Sequence, residues 1–135
     1  TINIEGAEIV ATNYGDLSKV GMQNWYLEIK KDDKIILLDV FSASTTDPSG
    51  VYQVLSGAEY ANKFIPGFMD GSTPAGAWYG SVSNGKFRVI APMVDGVIQI
   101  KVLGNTATIE FGVLDDGGNL IEGSVKGSYT VGEAE

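Results

Sequence analysis

WYGSVSNGKFRVIAPMVDGVIQIKVLGNTATIEFGVLDDGGNLIEGSVKGS, running from Trp78 to Ser128, decides how this chain folds. Apolar and polar residues alternate, and Gly, Asn and Asp punctuate the alternation about every 8 to 12 residues, the mark of hairpin-linked strands. A short turn fixes which residues face each other, so each turn is tested by the faces it produces. Asn84-Gly85 as a type I′ turn pairs Val82 with Phe87, Gly80 with Val89 and Trp78 with Ala91. Asp95-Gly96 pairs Met93 with Ile98, Ala91 with Ile100 and Val89 with Val102. Gly104-Asn105 pairs Val102 with Ala107, Ile100 with Ile109 and Ile98 with Phe111. The loop Asp115–Asn119 sets Leu114 against Leu120, Val113 against Ile121, Phe111 against Gly123 and Ile109 against Val125.

These turns agree on one apolar face: Trp78, Val82, Phe87, Val89, Ala91, Met93, Ile98, Ile100, Val102, Ala107, Ile109, Phe111, Val113, Ile121 and Val125. The other face carries Arg88, Gln99, Lys101, Thr108, Glu110, Glu122 and Lys126. A one-residue slip at any turn scrambles the separation. Phe111 opposite Gly123 lets a ring cover a strand glycine. The reading predicts a five-strand meander.

Upstream, Asp32-Asp33 turns Trp25–Lys31 back on Lys34–Phe41, with Trp25, Leu27 and Ile29 opposite Val40, Leu38 and Ile36. The reverse side holds Tyr26, Ile35, Leu37 and Phe41 beside Glu28, Lys30 and Asp39. A hairpin apolar on both sides needs a cover on its outer face. Gly50–Leu55 reads as a further strand and Glu8–Tyr14 as the first. Ser56–Ala77 is longer than an ordinary connection and has the length of a lid, a binding loop or a packed cap. Within it Glu59–Phe64 is expected to form one helical turn before Pro66 stops it. The chain 1–135 is thus one all-β domain, an antiparallel up-and-down meander of eight or nine strands. It closes as a calycin-like or lipocalin-like β-barrel or forms a closely related sandwich, either of which hides the sheet edges.

Composition narrows the function. Nine basic against seventeen acidic residues give a net charge of −8, with the basic residues scattered, which disfavours nucleic acid and anionic membrane surfaces. With no cysteine and no histidine, the chain has no thiol nucleophile, no Ser-His-Asp triad and no zinc-finger ligand set. No apolar run reaches membrane-spanning length; Ile35-Ile36-Leu37-Leu38 stops at Asp39. Asp115-Asp116-Gly117-Gly118-Asn119 lacks the spacing of a calcium loop and reads as a hairpin turn. No phosphate-cradling glycine motif precedes a helix. The expectation is a non-enzyme with no cofactor and no metal.

Two kinds of residue remain. Asp39 sits within Ile-Ile-Leu-Leu-Asp-Val-Phe, directly across from Tyr26, where apolar surroundings raise a carboxyl pKa. Either it serves as an acid, with Glu28 one step away as a second carboxylate, or it is a surface carboxylate hydrogen-bonded locally. Trp25 and Trp78 belong to the inward sets. Tyr26, Phe41, Tyr60, Phe64, Phe68 and Tyr79 are not explained by that core, and exposed aromatics stack on sugars or anchor interfaces. They are the expected ligand-binding set, unless the long segment simply packs over the hairpin.

Tyr14-Gly15-Asp16, Asn24-Trp25, Leu38-Asp39-Val40-Phe41-Ser42, Phe64-Ile65-Pro66-Gly67-Phe68, Gly76-Ala77-Trp78-Tyr79 and Gly123-Ser124-Val125-Lys126-Gly127-Ser128 together resemble a small β domain of cell-surface lipoproteins of gut Bacteroidetes. That family has no firm biochemical function. The resemblance implies an exported protein, surface-anchored or secreted, with its signal segment ahead of Thr1. The functional expectation is a binding or adhesion module for a glycan or a surface protein. A carrier of a small apolar ligand, or a structural spacer, is the alternative.

Overall fold

The computed structural model describes residues 1–134, with the side chains of Phe87 and Val89 outside the description. Among the described residues there is no helix. Twelve strands follow one another: β1 (Ile2–Asn13), β2 (Gln23–Lys31), β3 (Lys34–Ser42), β4 (Gly50–Val54), β5 (Lys63–Phe64), β6 (Phe68–Asp70), β7 (Thr73–Ala75), β8 (Trp78–Ser83), β9 (Lys86–Pro92), β10 (Asp95–Leu103), β11 (Thr106–Leu114) and β12 (Leu120–Val131). The circuit β1-β12-β11-β10-β4-β5-β3-β2 returns to β1, so eight strands close a β-barrel. Closure leaves those strands no free edge. The hairpin β8–β9 is a wing built onto the first half of β3, and β6–β7 is a small separate hairpin.

Most of the sequence registers hold. Asp32-Asp33 sets Trp25 against Val40, Leu27 against Leu38 and Tyr26 against Asp39. Gly104-Asn105 gives Val102–Ala107, Ile100–Ile109 and Ile98–Phe111. The Asp115–Asn119 loop gives Val113–Ile121, Phe111–Gly123 and Ile109–Val125. Asp115 Oδ1 accepts from the backbone N–H groups of Gly117 and Asn119, 2.9 and 2.8 Å away, so this loop is an Asp-organised turn.

Asp95-Gly96 is not a turn, and this corrects the five-strand meander. Both residues begin β10, which pairs with β11 on one side and with β4 on the other. Val94 N–H instead bonds the carbonyl of Leu114 at 2.8 Å, which carries the chain out of the wing and into the wall. The wing has its own correction. Val82–Phe87 and Gly80–Val89 pair as expected, but a bulge at Tyr79/Gly80 moves Trp78 opposite Pro92 and Tyr79 opposite Ala91. Trp78 is therefore buried outside the barrel, in a cluster with Ile35 and Leu37. The inward role expected of Phe87 and Val89 lies outside the described residues. Glu59–Phe64 forms no helical turn; a turn at Ala61-Asn62 leads into β5, whose two residues bridge β3 and β4.

Two pairings join segments distant in sequence. β1 and β12 run parallel, Ile4 beside Val125 and Ile9 beside Tyr129, and β4 runs parallel to β5. At Gly123 the β12 backbone comes so close to β1 that a Cβ would stand 1.8 Å from the carbonyl oxygen of Ile2. Here glycine is a packing requirement.

The barrel interior is filled by side chains. Trp25, Leu27, Ile29, Ile36, Leu38, Tyr52, Phe64, Met93, Ile98 and Ile100 are fully buried there. Polar ends find partners at the segment linking β3 to β4. Trp25 Nε1–H donates to the Ser44 carbonyl at 2.9 Å, and the Tyr52 hydroxyl donates to that of Pro48 at 2.7 Å. These bonds tie residues 43–49 against the barrel.

Candidate functional site

Begin with the outer face of β2–β3. Alternation sends Trp25, Leu27, Ile36, Leu38 and Val40 into the barrel and leaves Asn24, Tyr26, Glu28, Ile35, Leu37, Asp39 and Phe41 outside. Trp78 covers Ile35 and Leu37 at one end, with Val82 and Tyr26 packed alongside. Tyr60 covers Phe41 at the other, their rings edge to face with centroids 5.3 Å apart. Between the two covers lies Asp39.

Asp39 stands in a depression of about 240 Å³ lined by Tyr14, Leu17, Asn24, Tyr26 and Asp39 itself, with a mostly apolar wall. Asn24, itself buried, donates its side-chain amide to Asp39 Oδ1 and also reaches the Val40 carbonyl at 3.3 Å. Burial pushes the Asp39 carboxyl above its ordinary value, and the Asn24 hydrogen bond pulls the other way. Burial likewise drives the Tyr26 hydroxyl up to about 12, helped by the nearby charges of Glu28 and Asp39. Glu28, on the same outer side, is ion-paired with Lys30 at 2.8 Å.

The rim comes from the loop between β1 and β2. Gly15 N–H bonds Asn13 Oδ1 at 2.8 Å, and Asp16 accepts from Val20 N–H at 2.8 Å and Gly21 N–H at 2.9 Å. Those amides, Val20's first, lower the Asp16 pKa. Tyr14 N–H to Asn24 C=O and Asn24 N–H to Gly15 C=O close the base of the loop. The loop is thus locally braced, and it holds Tyr14 and Leu17 out of the core at 41% and 65% exposure.

The six aromatics expected to form one site do not come together. Phe41 and Phe64 are buried, Phe64 among the barrel residues, so neither offers a surface to a ligand. The expectation that they lie outside the packed interior is corrected. The reason is closure: β5 brings Phe64 inward beside Val40 and Val54. Tyr60 is spent covering Phe41. Tyr79 packs against the barrel core and lines a separate cleft of mixed character with Ile90, Leu120, Asp115 and Glu122. Phe68 is half exposed on the β6–β7 hairpin. Tyr26 alone joins the Asp39 depression.

Sequence reading missed Tyr14, Leu17 and Asn24. The signal available was the Asn13-x-Gly15-Asp16 run, which announces a side-chain-braced turn, next to the Asn24-Trp25 pair opening a strand. A larger, flatter depression of about 540 Å³ lies on the outer wall of β1, β12, β11 and β10, lined by Asn3, Gln99, Glu110, Gly112, Glu122 and Ser124 among others. It lacks an exposed aromatic and is more open to solvent than the Asp39 depression.

No protein-family model, curated protein or solved structure matches the chain.

Proposed function

We propose that this protein is a non-catalytic binding module, displayed at a cell surface or secreted, that engages a glycan or a surface protein through the Tyr14–Leu17–Tyr26–Asp39 depression. One observation carries the reading. The outer face of β2–β3 is covered at both ends, yet Asp39 and Tyr26 are only half-buried between the covers, beneath a braced loop that carries Tyr14 and Leu17. The non-catalytic reading is supported by the state of the carboxylates: Asn24 holds Asp39, and Lys30 holds Glu28. The carrier reading loses support because Trp25, Tyr52, Phe64 and Met93 occupy the space a calycin ligand would need.

The test presents a defined panel of immobilised oligosaccharides and purified surface proteins to the native chain and to the doubly substituted Tyr14→Ala, Leu17→Ser chain. Both side chains are exposed, so the variant keeps the fold, checked by its urea midpoint. Retention of a panel member by the native chain and its loss in the variant is expected. Identical retention by both chains, or none by either, overturns the proposal.

A further inference from the structure

We propose that the depression beneath Tyr14 and Leu17 receives a lysine-type primary ammonium presented by a protein partner. This inference rests on the binding-module reading and names the chemistry of that same site.

The argument is one of charge and shape. Asp39 has no cationic partner: the ion pairs among the described residues are Glu28 with Lys30 and Asp33 with Lys34. Lys19, on the rim loop, acts on Asp16. A carboxylate at the floor of a mostly apolar depression is therefore left with one amide donor and no counter-ion. Removing a charge from water in this way is costly unless a partner offsets it. An ammonium supplies the offset and brings three N–H donors.

The walls fit the rest of a lysine side chain. Tyrosine faces attract cations, and the attraction grows where water is excluded. Tyr14 and Tyr26 line the same depression as Asp39. Leu17 offers an apolar side for the methylene stem, which lysine keeps against apolar surface while its head seeks charge. A sugar ring brings many hydroxyls to a wall with few partners for them. A divalent cation finds a single carboxylate, and no metal-holding group of carboxylates occurs among the described residues. At larger scale the net charge of −8 favours the approach of a basic surface.

The test titrates the full, isotope-labelled chain with four probes: Nα-acetyl-lysine methylamide, its neutral isostere Nα-acetyl-norleucine methylamide, choline and N-acetyllactosamine. Signals of Leu17, Tyr26 and the Asn24 side-chain amide are followed. The lysine compound is expected to shift these signals with a Kd at least about tenfold below that of the norleucine compound. Choline, which has no N–H to give Asp39, is expected to bind more weakly than lysine. Asp39→Asn keeps the shape and the hydrogen bond from Asn24 and is expected to erase the lysine-over-norleucine preference. Equal binding of lysine and norleucine overturns the inference, as does choline binding more tightly than lysine. Silence of the lysine probe with shifts from the saccharide overturns it too, and leaves the binding-module reading standing. Should Asp39→Asn fail to fold, the lysine–norleucine comparison on the native chain decides alone.

Discussion

The wall formed by β10, β11 and β12 and the hairpin β2–β3 use the same alternation to opposite ends. On the wall the outward positions are mostly polar: Lys101, Glu110 and Lys126 stand in solvent and Gln99 is half-buried, while Ile98, Ile100, Ile109 and Val125 fill the barrel. On β3 the outward positions Ile35, Leu37 and Phe41 are buried as well as the inward ones. The wall therefore has one packed face and the hairpin has two. The second face is covered by residues far away in sequence, Trp78 from the wing and Tyr60 from the connection before β5. Covers of separate origin do not meet, and the seam between them is where Asp39 and Tyr26 stay accessible. A candidate site arises in this fold as a gap between covers, on a strand pair too apolar to be left bare.

The largest contrast to break is between the two tryptophans. Trp25 sits in the barrel at 1% exposure with its indole N–H bonded to Ser44. Trp78 sits in the outer cluster at 4% exposure with its N–H bonded to Ala75 at 2.7 Å. Trp25→Ala is expected to cost about 3–5 kcal/mol, since it empties a site walled on every side and removes the donor to the half-buried Ser44 carbonyl. Trp78→Ala is expected to cost about 2–3 kcal/mol, because a cluster at the periphery collapses more easily. Urea unfolding measures both. Hydrogen exchange separates them further: the Trp78 variant keeps full protection in β10–β12, and the Trp25 variant loses it. A Trp78→Ala cost equal to that of Trp25→Ala means the wing is part of the barrel's cooperative unit.

Within the wall a pair of glycines sharpens the same lesson about what sequence shows. Gly123 is pressed against the Ile2 carbonyl, whereas a Cβ at Gly112 meets nothing within 4 Å. Gly123→Ala is expected to lose about 1–3 kcal/mol by forcing β1 and β12 apart. Gly112→Thr is expected to gain up to about 1 kcal/mol by replacing a flexible residue with a strand former on an open face. Thermal unfolding of the two variants, shifted in opposite directions, is the check.

Both glycines read alike in sequence. Phe111 opposite Gly123 was legible from the Asp115–Asn119 loop, but the need for glycine came from β1, over 110 residues away. The same division runs through the molecule. Local turns carry their register in the sequence, so the pairs around Asp32-Asp33, Gly104-Asn105 and the part of the β8–β9 hairpin nearest Asn84-Gly85 were legible. Asp95-Gly96 has the composition of a turn, yet β4 takes the place beside β10 that β9 was expected to hold. Nothing local to Asp95 distinguishes those outcomes, because the choice is made by closing the barrel. The site divides likewise. Tyr26 facing Asp39 follows from a two-residue turn, whereas Tyr14 and Leu17 reach them through an irregular loop with no periodicity to read.

Asp39 supplies the smallest effect and the most direct probe of the seam. Its folded pKa lies above its unfolded value, with burial the main cause. Between those two values the native chain binds more protons than the unfolded chain, so stability falls as pH rises through that window. Above it the penalty of holding the carboxylate among apolar walls is present in full. Asp39→Asn removes the penalty and keeps an acceptor for Asn24. The variant is therefore expected to be more stable than the native chain at neutral pH, with the difference closing as pH falls below the ordinary carboxylate value. Asp16 and Asp115 are shifted downward by backbone amides, so their stabilisation is lost on acidification in both chains and cancels from the comparison. The check is the difference between paired urea curves across that pH range. A variant less stable at neutral pH means that the Asn24 hydrogen bond to the ionised carboxylate outweighs its burial. Asp39 then no longer lacks a partner, and the case for an external cation loses its electrostatic half.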